Sequence, residues 1–161
     1  MNMKKLAYTG LLTALALILG YLESLIPPIV PVPGIKMGFA NIVVVFTLYK
    51  IGVKEAVMVN IVRVIVSGLL FGTMFSLAYS MAGAVLSLII MCILYKKTDL
   101  DVATVSVCGS IMHIIGQVAV AIIVVGSASI ISMLPFLLLS AFIMGAIIGL
   151  LAKILMDRIR V

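Results

Sequence analysis

Apolar residues fill this chain in long blocks, and polar positions gather in short clusters between them. A bilayer core takes about 20 apolar residues per helix. The blocks predict spans over Leu6–Ile26, Gly38–Ile51, Glu55–Phe71, Met74–Tyr95, Val102–Val125 and Ile130–Met156. The breaks are an outer loop over 27–37, then "KIGVKE", "FGT", "KKTDLD" and "GSAS". None is long enough for a soluble domain. The pattern therefore predicts an all-α integral membrane protein, a single transmembrane domain over 1–161 built as a six-helix bundle, without internal repeats.

Composition strengthens this reading. Of 161 residues, 65% are hydrophobic and 10% charged, where a soluble domain carries about 25% charged residues. The net charge of +6 raises nucleic acid as a partner, but the positions of the cations exclude it. Lys4, Lys5, Lys50, Lys54, Lys96, Lys97, Lys153, Arg158 and Arg160 fall on one side of the spans, and Lys36 on the other. That asymmetry is a topology signal, which places both termini in the cytoplasm and the chain in the plasma membrane as a multi-pass protein. The first apolar block is long enough to span and lacks a small-residue cleavage site, so no cleaved signal is expected. Cys92 and Cys108 lie in apolar runs with no second ligand nearby and read as small buried hydrophobes.

Spans two and three are short. Lys36 and Lys50 bracket a segment too short for a roughly 30 Å hydrocarbon core, so either the lysines snorkel or helix 2 begins below the outer surface. Pro27 to Asn41, "PPIVPVPGIKMGFAN", precedes it. Such interrupted segments point to binding sites in transporters. The expectation is a stiff outer loop that ends by delivering Lys36 and Asn41 to the bundle; a rigid loop without a ligand is the plainer alternative.

Ionisable groups inside a membrane are costly and tend to be functional or paired. Running each helix from its lysine end places Glu23, Lys36 and Asn41 toward the outside, Asn60 and Arg63 near mid-depth, and Tyr79 in the outer half of helix 4. His113 and Gln117 share one face of helix 5 from the middle upward. The inner half has almost no polar group. A channel needs a polar path through both halves; a cup closed below fits a binding site. Lys36, Arg63 and the free N–H groups expected at the start of helix 2 favour an anionic or strongly polar ligand. The competing reading is a structural pair of Glu23 with one of the two cations.

Catalytic chemistry is missing. There is no phosphate-binding loop, no HExxH, no CxxC and no nucleophile elbow. Asp99 and Asp101 stand among lysines and are no metal site, so no enzyme activity, metal or cofactor is expected.

The segments "GYLESLIPPI", "PVPGIKMGFANIV", "NIVRVIVSGLLFG", "YSMAGAVLS" and "HIIGQ" resemble the membrane family labelled heptaprenyl diphosphate synthase component I, or Gx transporter family. That family is similar to the substrate-binding S components of energy-coupling factor (ECF) transporters. The resemblance implies a ligand site in the outer half, lined by Glu23, Lys36, Asn41, Asn60, Arg63, Tyr79, His113 and Gln117 and capped by the first loop. It implies a small-residue motif on helix 1, here Gly10 and Ala14, that docks a coupling subunit. The implied partners are a vitamin-like or isoprenoid or quinone-precursor substrate, the coupling subunit with its ATPases, and the lipid bilayer. The alternative is a non-catalytic membrane subunit of heptaprenyl diphosphate synthase in isoprenoid or quinone biosynthesis.

Overall fold

A computed structural model describes residues 3–25, 38–126 and 128–159. The elements are α1 (Met3–Leu25), α2 (Phe39–Lys50), α3 (Val53–Phe71), α4 (Met74–Lys97), α5 (Val102–Val125), a 3-10 turn (Ala128–Met133) and α6 (Leu134–Arg158). Among the described residues there is no strand. Lipid offers no hydrogen bonds to a backbone, so a helix that satisfies its own is the form these apolar blocks take.

Four helices, α1, α4, α5 and α6, are long and apolar enough to cross a membrane. The six-span expectation is thus met in helix number only. The 12 residues of α2 reach about 18 Å at 1.5 Å per residue. The 19 residues of α3 carry Lys54, Glu55 and Arg63.

Helix ends differ from the expected ones for local reasons. Lysine continues a helix well, so α1 starts at Met3 and α4 runs to Lys97. The last span begins at Ile130 as expected, its first residues in the 3-10 turn. Its α-helix starts at Leu134 with Pro135 in the first turn, where a missing N–H is not missed. Thr73 caps α4 by accepting from Ser76 N at 3.1 Å. Asp101 caps α5 by accepting from Ala103 N at 3.3 Å, and also binds Lys153 Nζ of α6 at 2.8 Å. The Lys153 bond, with the Ala103 N–H, holds the Asp101 carboxyl below the usual carboxylate range.

The short helix is the most enclosed. Ile42 to Leu48 of α2 are all buried, and Val44, Thr47 and Leu48 are fully so. It lies amid α1, α3 and α6. The hydroxyl of Thr47 bonds back to the Val43 carbonyl at 2.6 Å, so it adds no unmet polar group to this interior. Around it, α3 packs on α1 and α4, and α5 packs between α4 and α6.

The α4–α5 and α5–α6 seams are closed by glycine. A Cβ on Gly116 would lie 2.9 Å from the Ala82 carbonyl oxygen, and one on Gly149 would lie 2.5 Å from Ala103 Cα. Small residues let backbones approach where lipid supplies no hydrophobic drive between helices.

Candidate functional site

The sequence places Asn41 at the beginning of one helix and Arg63 midway along another. The structure joins them. Asn41 precedes Lys50 by nine residues, and Arg63 follows Lys54 by nine. Both side chains therefore stand about 14 Å along their helices from these lysines. The α2–α3 hairpin turns at Ile51 and Gly52, whose N–H groups both bond the Thr47 carbonyl at 3.0 Å. That tight turn sets the register that brings Asn41 opposite Arg63.

Arg63 donates from Nη2 to Asn41 Oδ1. It also donates to Asn60 Oδ1, from Nε at 3.1 Å and from Nη2 at 2.8 Å. Asn60, 3% exposed, fixes its own orientation by donating from Nδ2 to the Ala84 carbonyl of α4 at 3.0 Å. Three helices thus meet in one polar cluster. Among the described residues Arg63 forms no ion pair: its guanidinium is held by neutral amide oxygens.

Glu23 enters the same cluster from α1. It is buried, and its carboxylate accepts from Gly38 N and from Phe39 N, the latter at 3.2 Å. It also lies within electrostatic reach of Arg63. The expectation of free N–H groups at the start of α2 is corrected here. Gly38, at φ +83°, supplies no side-chain cap of its own, so a carboxylate from another helix takes that role. Lys36, and with it the whole of Pro27–Met37, lies outside the described residues.

His113 extends the cluster toward α5. Its Nδ1 is buried and has no hydrogen-bond partner among the described residues. Such an atom costs about 1–3 kcal/mol when left unmet. The ring is within electrostatic reach of Arg63. It lies against the α4 backbone at Gly83, where a Cβ would fall 3.0 Å from His113 Cδ2 and 2.9 Å from Gln117 Cγ. Gly83 is the residue that the sequence reading missed: its absent side chain makes room for both polar groups of α5. No hydrogen bond joins Tyr79 to the cluster among the described residues, although it lies on α4 within five residues of Ala84.

Next to the cluster along α2 lies an apolar core layer, with Thr47, Glu55, Ser87 and Ser106 the buried polar side chains around it. Val43 to Val45 and Leu48 of α2 pack with Ala56 and Val59 of α3, Leu88 and Met91 of α4, and Ile148 and Ala152 of α6. The polar cluster stands beside this layer.

The family model for heptaprenyl diphosphate synthase component I matches residues 12–155. The chain belongs to the heptaprenyl diphosphate synthase component I family. The match includes every residue of the cluster, Glu23, Asn41, Asn60, Arg63 and His113. No match was found among curated proteins or among solved structures.

The small residues of α1 in this member of the component I family divide between two faces. Ala16 is buried, and a Cβ on Gly20 would meet Ser67 Oγ at 3.7 Å and Ala40 Cβ at 3.9 Å. Gly10 and Ala14 turn outward: both are exposed, and Gly10 has open space around it. They line a surface groove of about 360 Å³ between α1 and α3, whose other wall is Met58 and Val62. By contrast, Gly145 and Gly149 are spent inside, against α5.

Proposed function

We propose that this protein is the substrate-binding membrane subunit of an ECF-type uptake transporter in the plasma membrane. It takes a small polar ligand at mid-depth and passes it inward with a coupling subunit and ATPases. The observation that carries this reading is the Asn41–Asn60–Arg63 cluster beside a mainly apolar core layer, with the Nδ1 of His113 next to it, which has no partner among the described residues. A structural polar network satisfies all its members. Here the guanidinium bonds only neutral amide oxygens among the described residues, and the imidazole Nδ1 has no partner among them, so both can still receive a polar group of a ligand. The apolar layer favours a bound cargo over a continuous pore. The outer loop over 27–37, with Lys36, caps the site in this reading, and Tyr79 and Gln117 complete its wall.

The groove at Gly10 and Ala14 is the docking face for the coupling subunit. Native mass spectrometry of the purified protein is expected to find a small molecule bound. Gly10→Leu with Ala14→Leu is expected to lose co-purification with a coupling module while keeping that molecule. Loss of the fold instead would sink the docking assignment, and a protein that never carries a ligand would sink the transport reading.

The family's name favours a second reading, a membrane component that assists a soluble prenyl diphosphate synthase. Under it, co-purification with a synthase subunit would depend on the lysine-bearing loops and not on Arg63. Both readings place the termini inside. Cysteine introduced at Ser127 is expected to label from outside the cell, and at Thr98 only after permeabilisation. The reverse pattern would invert the depth order.

A further inference from the structure

The amino end of α2 is an anion position. The N–H groups of Gly38 and Phe39 converge there, and the dipole of a 12-residue buried helix adds partial positive charge. Arg63 stands close by. In transporters the amino ends of interrupted helices receive anionic groups of the cargo. In this chain the position is filled from within, by a carboxylate that is 6% exposed.

Resting on the ligand-binding reading above, we propose that Glu23 sets the charge selectivity of the site. It occupies the anion position and lies within electrostatic reach of Arg63. The ligand group received by Arg63 and its asparagines is therefore an uncharged oxygen, a carbonyl or a hydroxyl. A carboxylate or phosphate brought to Arg63 meets a like charge at close range in a medium that screens poorly. A carbonyl or hydroxyl accepts from the guanidinium without that repulsion, and a ligand hydroxyl also donates to His113 Nδ1. This narrows the class from anionic or polar to polar and uncharged at this end.

The test needs no knowledge of the ligand. Thermal unfolding of the purified full chain is followed in sodium acetate and sodium phosphate, against sodium chloride at matched ionic strength. The wild type is expected to respond to all three alike. Glu23→Ala vacates the position, so acetate and phosphate are expected to give a saturable rise in midpoint. Their apparent affinity should be roughly ten-fold or more above the wild type's, as suits charge-assisted bonds. Glu23→Gln keeps an acceptor for α2 and removes only the charge; it is expected to fold and to gain a response to phosphate through Arg63. That variant decides the matter if the alanine variant does not fold. The proposal is overturned if both folded variants respond as the wild type does. It is equally overturned if the wild type already shows the saturable phosphate response. Either result leaves the ligand-binding reading standing, because bound cargo is detected separately.

Discussion

Gly149→Val is expected to collapse the α5–α6 seam, while Gly10→Val leaves the fold intact. Both glycines belong to small-residue pairs in apolar helices, and by sequence they look alike. Their surroundings differ. A Cβ at Gly149 would stand 2.5 Å from Ala103 Cα and 2.9 Å from Ser106 Cβ, whereas at Gly10 nothing lies within 4 Å. Glycine in a helix interior is itself unfavourable by roughly 0.5–1 kcal/mol relative to alanine, so any side chain brings a small gain. At Gly149 that gain is overwhelmed. Overpacking costs about 1–3 kcal/mol when side chains can yield, and more when the neighbour is backbone. A loss of roughly 3 kcal/mol or more is expected for valine. Unfolding midpoints in one detergent, with monodispersity checked, give the comparison. Equal midpoints for the two variants would show that α5 and α6 do not meet as closely as described. Gly83→Ala carries the same argument into the site, because its Cβ would press on His113 and Gln117.

The helices were legible in the sequence because lipid leaves the backbone few choices. The polar residues that meet could be named from the sequence too: Asn60 and Arg63 one turn apart on α3, Asn41 at the start of α2. The meeting itself was not. It depends on α2 being only 12 residues long, which brings its first turn beside Arg63. The role of Glu23 was hidden for a different reason. A helix cap is ordinarily sought within three residues of the helix start, and this one comes from the preceding helix, 15 residues away. Gly83 was hidden because a glycine in an apolar span does not say which helix presses on it. The last span was legible from its start at Ile130; Pro135 marks only where its α-helical part begins.

Arg63→Met is expected to abolish ligand retention at little cost to the fold. Three magnitudes compete. Removing the guanidinium strands the oxygens of Asn41 and Asn60, at about 1–3 kcal/mol for each that finds no other donor. Against this, a buried charge with no ion pair among the described residues is removed, which relieves a desolvation penalty of several kcal/mol. Glu23 then loses its neighbouring positive charge, which returns part of the cost. The terms nearly cancel for the empty protein but not for the bound one, where the ligand's contacts to Arg63 have no replacement. Affinity is expected to fall by the roughly 1.5–3 kcal/mol of charge-assisted hydrogen bonds, about ten-fold or more. Arg63→Lys is not expected to rescue. A lysine keeps the charge, but its compact ammonium cannot reproduce the planar fork that now bonds Asn41 and Asn60 together. Pairing Arg63→Met with Glu23→Gln removes both charges, and the double variant is expected to be more stable than the sum of the two single changes. That excess measures the coupling between the two groups. Bound small molecule by native mass spectrometry and unfolding midpoints in parallel provide the readouts. A folded Arg63→Met protein that retains its ligand would reduce the guanidinium to a brace between α2 and α3.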